Sequence, residues 1–236
     1  MPVPTNDFGQ PVGHVVPGWT TRPRPPRAPM AGRHCRIEPL DPERHGADLW
    51  RFLCVEGEVR NWTYLPYGPF DDEDEFRAWL ADRAKSDDPL FHAVLDEAGR
   101  AVGLASYLRI DPANGAIEVG HIHFGPLLQR TAATTEALYL FMRRAFAELG
   151  YRRFEWKCDA LNAPSRRAAL RLGLVFEGVF RQATVVKGRN RDTAWFSATD
   201  AEWPRLAAAF EAWLEPANFA DGRQIRRLED LRDHPS

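Results

Sequence analysis

The chain is 236 residues long, 44% of them hydrophobic, with eight tryptophans, so it has the material for a substantial core. Thirty-one Lys and Arg stand against 33 Asp and Glu, a formal charge of −2, which argues against nucleic-acid binding by phosphate neutralisation. No apolar run approaches the roughly 20 residues of a membrane span, and Cys35, Cys54 and Cys158 are too scattered for a disulfide framework or a zinc site. With no charged-then-apolar leader pattern, a reduced, cytoplasmic protein without resident metal is expected.

Residues 1–33 are rich in Pro, Gly and Arg, which denies regular hydrogen bonding and predicts an extended arm. Trp19, Val15 and Val16 are its apolar points, available to anchor it on the body or on a second subunit of a homodimer. Cys35–Leu40 reads as a first strand. Asp41-Pro42-Glu43 then gives an N-cap, a proline at the first helical position and an acid in the first turn, ahead of a helix burying Leu49, Trp50, Leu53 and Cys54. Residues 61–70 form a loop dense in aromatics and prolines, unlike an ordinary polar loop. Two readings stand: the wall of a pocket, or a satellite hydrophobic cluster. The acids at 71–75 open a second helix with Phe76, Trp79 and Leu80 at helical spacing.

From residue 91 the pattern becomes strands. Phe91–Leu95, Ala101–Ile110 and Ala116–Phe124 are separated by turn signals at 96–99 and 111–115, predicting an antiparallel meander. A helix over about 134–149 follows, ended by Gly150. Then come a strand at 152–158, a helix at 164–172, strands near 174–181 and 191–199 with a turn at 187–190, and a helix carrying Trp203, Leu206, Phe210 and Trp213. The charged remainder, 216–236, reads as a short surface helix or a frayed tail, leaving 34–215 as the body of one α+β domain.

The stretch Gly120–Ala137 carries the strongest chemical signal. A strand enters a short loop that opens a helix, so free amide N–H groups over 129–134 converge with the positive end of a helix dipole behind them. Such a device holds pyrophosphate, and the small residues Thr131, Ala132, Ala133 and Thr134 allow close approach. The next unit runs from Arg153–Asp159 through Asn162-Ala163-Pro164-Ser165 to Leu172–Gly178. Together these motifs resemble the acyl-CoA-binding half of the GNAT N-acetyltransferase superfamily, most closely its ribosomal-protein alanine acetyltransferase-like branch.

The resemblance covers roughly residues 33–200 and implies a mixed, mostly antiparallel central sheet with a splayed central strand pair, flanked by helices. It implies acetyl-CoA as acyl donor, with Phe124, Gln129, Arg130, Thr131, Ala132, Ala133, Thr134, Asn162 and Ser165 as the residues holding it. Three departures from the family pattern stand out, one of them Thr134 in place of the loop's final small residue, which adds a hydroxyl able to bond a phosphate oxygen. Ala132 replaces a glycine, which is tolerable only if its φ is not positive. Ala169 occupies the position of a tyrosine that protonates the leaving thiolate in many members, leaving Ser165 or a water for that task. Asn162 and Ser165 serve equally well as helix-capping residues.

The local titratable groups for a general base are Glu118, His121 and His123. Strand alternation puts the two histidines on one face and Glu118 on the other, unless a bulge resets the phase. Cys158 in an apolar strand reads as core, which favours direct transfer over an acyl-enzyme. The expected activity is acetyl transfer to a primary amine, either a small molecule or a peptide N-terminus. An acyl-CoA-binding or regulatory protein on the same scaffold is the alternative, and a purely structural interaction protein is a third class.

Overall fold

The computed structural model describes residues 2–234. The arm is extended, as its prolines require. Val15 and Val16 are exposed, whereas Trp19 docks: its Nε1 donates to the Ala113 carbonyl at 2.9 Å. Its ring fills the space where a Cβ on Gly115 would lie, at 2.3 Å, and Gly115 itself takes φ +63 in its turn. Arginines fasten the rest of the arm. Arg27 donates to the Ala84 and Ser86 carbonyls, and buried Arg144 reaches back to the carbonyls of Ala28 and Pro29 at 2.6 and 2.8 Å.

The arm ends in strand β1 (Met30–Ala31), followed by β2 (Arg36–Pro39). Between them the chain turns over Glu136, whose carboxylate accepts from the backbone amides of Arg33, His34 and Cys35 at 2.7, 2.6 and 2.9 Å. Helix α1 (Pro42–Leu49) is capped by Asp41, which accepts from Glu43 N and Arg44 N, and continues into a wider π turn over Trp50–Val55. Helix α2 (Glu73–Lys85) is capped by Asp72 and buries Phe76 and Leu80.

Strands β3 (Leu90–Leu95), β4 (Ala101–Asp111) and β5 (Ala116–Phe124) form the antiparallel meander. Helix α3 (Ala132–Arg143) begins two residues earlier than periodicity suggests, because Thr131 caps it by accepting from Thr134 N. It ends in a π turn, Arg144–Glu148, and the chain turns away at Gly150 with φ +70. Then follow β6 (Arg153–Asp159), α4 (Ala163–Arg171), β7 (Val175–Val186) and β8 (Arg189–Thr199). The last two are longer than expected. Polar residues such as Arg181, Gln182 and Thr184 obscure the strand pattern on an exposed hairpin, and its turn is only Lys187-Gly188, both with positive φ.

Helix α5 (Trp203–Leu214) packs on the sheet, and the charged remainder docks rather than frays. A small hairpin of β9 (Phe219–Ala220) and β10 (Arg223–Gln224) leads to α6 (Leu228–Asp233), which buries Leu228 and Leu231. Asn218 organises this segment, donating to the Trp213 carbonyl and accepting from Arg226 N. Residues 235 and 236 of the expected tail, and Met1 of the arm, lie outside the described residues.

The sheet has eight strands in the order β1-β2-β3-β4-β5-β6-β8-β7, and only β5 and β6 run parallel. Helix α3 and the C-terminal helices cover one face, around Val119, Phe141 and Phe210. Helices α1 and α2 and the aromatic loop cover the other, around Leu53, Trp62 and Phe91. The β5–β6 ladder runs only from Ala116↔Arg153 to Val119↔Trp156, and past that point the two strands separate. This is the mixed, mostly antiparallel α+β sheet with a splayed central pair expected from the motifs.

Candidate active site

Where β5 leaves β6, a bulge reshapes the strand. Ser106 pairs with Gly120 and Leu104 with His123, so two residues, His121 and Ile122, stand opposite Ala105, and His121 takes φ +51. The phase therefore resets. Glu118 and Gly120 before the bulge share a face with His123 after it, and His121 swings to the same side, against Phe91 and Tyr67. Simple alternation separates Glu118 from the histidines; the bulge unites them.

A cavity of about 190 Å³ opens at this split. Glu118, Gly120 and His121 line it from β5, and Trp156, Lys157, Cys158 and Asp159 from β6. Asn162 and Ser165 contribute from the start of α4, Arg191 from β8, and Asn61, Tyr64, Leu65 and Pro66 from the aromatic loop. That loop satisfies both of its sequence readings. Trp62, Tyr67 and Phe70 pack into the α1–α2 side of the core while their neighbours wall the cavity.

Glu118 is buried, and its Oε2 lies 2.7 Å from Lys157 Nζ and 3.6 Å from Arg109 Nε. Burial raises its pKa above the usual carboxylate range, and Lys157 opposes that shift without cancelling it. Lys157 is shared with Glu155 at 3.0 Å and rests 3.6 Å from the centre of the Trp195 ring. For Glu155, burial is outweighed by hydrogen bonds from Arg153 and Lys157, so its pKa falls. Of the two carboxylates on one ammonium, Glu118 is the more basic.

His121 and His123 differ in surroundings. Tyr67 Oη lies 3.1 Å from His121 Nδ1, and burial, aided by the charges of Arg83 and Arg191, lowers the His121 pKa to about 4. His123 is outside the cavity lining, edge-on to Trp62 with ring centroids 4.0 Å apart. Burial takes it to about 4 as well, and neither of its ring nitrogens has a hydrogen-bond partner among the described residues. Both rings are neutral near pH 7.

Across the cavity, Asn162 caps α4, its Oδ1 accepting from Ser165 N at 3.1 Å. Ser165 Oγ accepts from Trp156 Nε1 at 3.0 Å, which leaves its hydroxyl proton to donate, and the sulfur of Cys158 lies within its hydrogen-bonding reach. Tyr64 Oη donates to the Leu161 carbonyl at 3.3 Å. Cys158 also lines the cavity, and burial raises its thiol pKa, keeping it a poor nucleophile. Ala169 is fully buried.

The loop ahead of α3 begins at Gly125, where a Cβ would meet the Phe52 and Val102 carbonyl oxygens at 2.9 Å each. Gln129 Nε2 donates to the Phe124 carbonyl, and the hydroxyls of Thr131 and Thr134 both donate to the Leu128 carbonyl. These side chains shape the loop, and the Thr134 hydroxyl points at the Leu128 carbonyl rather than at a phosphate. The left-handed residue of the loop is Arg130, φ +62, so Ala132 sits at the right-handed start of α3 and needs no glycine. The amides of Arg130, Ala132 and Ala133 donate to no protein acceptor among the described residues. A row of free donors at a helix N-terminus suits a phosphate group. The residues present therefore fit an acyl-CoA.

Tyr64, Lys157 and Arg191 are cavity residues that motif reasoning missed. A lysine in the apolar strand 153–158 was a visible signal for one of them; the other two come from distant segments.

Comparison with known proteins agrees. The acetyltransferase (GNAT) domain model matches residues 35–175. A solved GCN5-related N-acetyltransferase from Brucella melitensis is 51% identical, covers 92% of this chain and 100% of its own, and superposes with a TM-score of 0.91. A probable GNAT acetyltransferase from Chromobacterium violaceum is 45% identical over 83% of this chain and 98% of its own, with a TM-score of 0.77. The SPbeta prophage-derived uncharacterized N-acetyltransferase YokL of Bacillus subtilis is 27% identical over 73% of this chain and 93% of its own length. With its splayed strand pair, its amide-lined helix start and a family match over more than half its length, the chain belongs to the GNAT family of N-acetyltransferases.

Proposed function

We propose that the protein transfers an acetyl group directly from acetyl-CoA to a primary amine, with Glu118 as general base and Ser165 as proton donor to the departing sulfur. The observation that carries this reading is the cavity at the β5–β6 split, which both Glu118 and Ser165 line. The donor supplies an activated acyl carbon and a thiolate leaving group. Glu118 accepts the proton that the amine loses as its nitrogen forms the new C–N bond. A buried carboxylate with a raised pKa is better matched to this task near neutrality than an imidazole near 4. His121, held at the bulge against Tyr67, shapes the approach of the amine. Ser165 Oγ passes its proton to the sulfur as the C–S bond breaks and takes one in turn from solvent in the open cavity, filling the role left open by Ala169. The free amides of Arg130, Ala132 and Ala133 hold the phosphates, while Gln129, Thr131 and Thr134 keep the loop in shape.

Resemblance to the ribosomal-protein branch makes a peptide N-terminus one acceptor class to test, and a small amine the other. Calorimetric titration with acetyl-CoA is the first experiment. Saturable one-to-one binding, weakened by Arg130→Glu, supports the reading. No binding at millimolar donor overturns it.

A further inference from the structure

Four charged side chains line the cavity, and three are committed. Lys157 is bound to Glu118 and Glu155, and Asp159 Oδ1 accepts from Leu161 N. Arg191 has no hydrogen-bonded or ion-paired side-chain partner among the described residues, and its Nε is buried with nothing to donate to. Its backbone is fixed by pairing with Thr184 in the β7–β8 hairpin, and it lines the cavity together with His121 and Cys158, close enough for its charge to act on both. An unpaired guanidinium with an orphaned buried donor is costly unless a ligand supplies the acceptor. Its planar fork matches a carboxylate through two parallel hydrogen bonds.

We infer that Arg191 is the specificity residue of the acceptor site and receives a carboxylate carried by the amine substrate. The inference rests on the acetyl-transfer reading above and names the substrate class for it. A cavity of about 190 Å³ admits only a small group, so amine and carboxylate are separated by few bonds. A free amino acid meets this description through its own carboxylate, and a peptide beginning with Asp meets it through its first side chain. Both present the same chemistry to Arg191.

The test uses matched pairs on the full chain: free amino acids against their amides, and tetrapeptides beginning with Asp against the same peptides beginning with Asn. Binding to the protein alone is measured by calorimetry, and transfer from acetyl-CoA by thiol release. In one of the two pairs the carboxylate member is expected to bind and react at least about tenfold better than its uncharged twin, the discrimination of one charge-assisted hydrogen bond. The pair that discriminates identifies the source. Arg191→Gln should abolish the preference, chiefly through KM, without changing acetyl-CoA affinity, and Arg191→Lys should retain part of it. Equal binding of both twins in the wild type, or a preference that survives Arg191→Gln, overturns the inference. Failure to bind acetyl-CoA strikes the donor reading instead, since acceptor binding is measured without donor.

Discussion

Lys157 Nζ sits 2.7 Å from Glu118 Oε2, and both side chains are almost wholly buried in neighbouring parallel strands. The ammonium keeps the carboxylate ionisable in a place where burial alone would keep it protonated. Removing one member leaves the other without compensation. Lys157→Met is expected to cost about 3 kcal/mol of stability, measured by urea unfolding. It should also raise the Glu118 pKa further, moving the acidic limb of the kcat/KM profile to higher pH. An unchanged limb would separate Glu118 from the proton transfer.

Glu118→Gln keeps the shape of the site and removes the proton acceptor. We expect kcat to fall about 10²-fold with acetyl-CoA affinity unchanged, whereas His121→Phe should lose less than about tenfold. A larger loss for His121→Phe would exchange the two roles. Stopped-flow transfer rates alongside calorimetry decide between them.

Ser165→Ala should lower kcat by at least about tenfold if its hydroxyl protonates the sulfur. Tyr64→Phe should lower it less, because that hydroxyl is spent on the Leu161 carbonyl. A thioester with a more acidic thiol needs less help in leaving. The Ser165→Ala defect should therefore shrink with such a donor, a result that a merely structural serine would not give.

The buried histidines predict the acid response. Burial lowers the pKa to about 3 in His92 and to about 4 in His121 and His123. Between the ordinary value near 6.5 and these folded values, the unfolded chain binds more protons, so stability falls as pH drops through that window. Above about pH 6.5 the contribution is complete. Urea midpoints measured between pH 7 and 4 should decline, and His123→Phe should flatten the decline without affecting the plateau.

Glu136 gathers three backbone amides of the strand entry onto helix α3. Glu136→Gln leaves at least one of them without an acceptor and should cost about 2 kcal/mol. Hydrogen exchange at residues 33–35 should rise with it.

The regular elements were legible in the sequence because their apolar spacing and end signals agree: Asp41 caps where it stands, the acids at 71–75 open the second helix, and the turns at 96–99 and 111–115 close the meander. Three features were hidden for physical reasons. The sequence allows for a bulge in β5 but not its position: His121 and Ile122 stand opposite Ala105 of the neighbouring strand, a non-local relation that alternation cannot register. The left-handed residue of the helix-opening loop is Arg130, a backbone choice without a composition signal. Arg191 and Tyr64 reach the cavity from a hairpin and a loop distant in sequence, so only the assembled fold brings them into one lining with Glu118.

One contact between distant segments governs the cavity. At the tip of the β7–β8 hairpin, Lys187 Nζ donates to the Trp62 carbonyl at 2.7 Å, across 125 positions of chain. The hairpin that carries Arg191 is thereby latched to the loop that carries Tyr64. Tyr64 and Arg191 lie far apart along the chain, so this ammonium on a carbonyl ties together two walls that no short covalent path joins. The spacing of the two walls thus depends on a residue that lies outside the cavity lining.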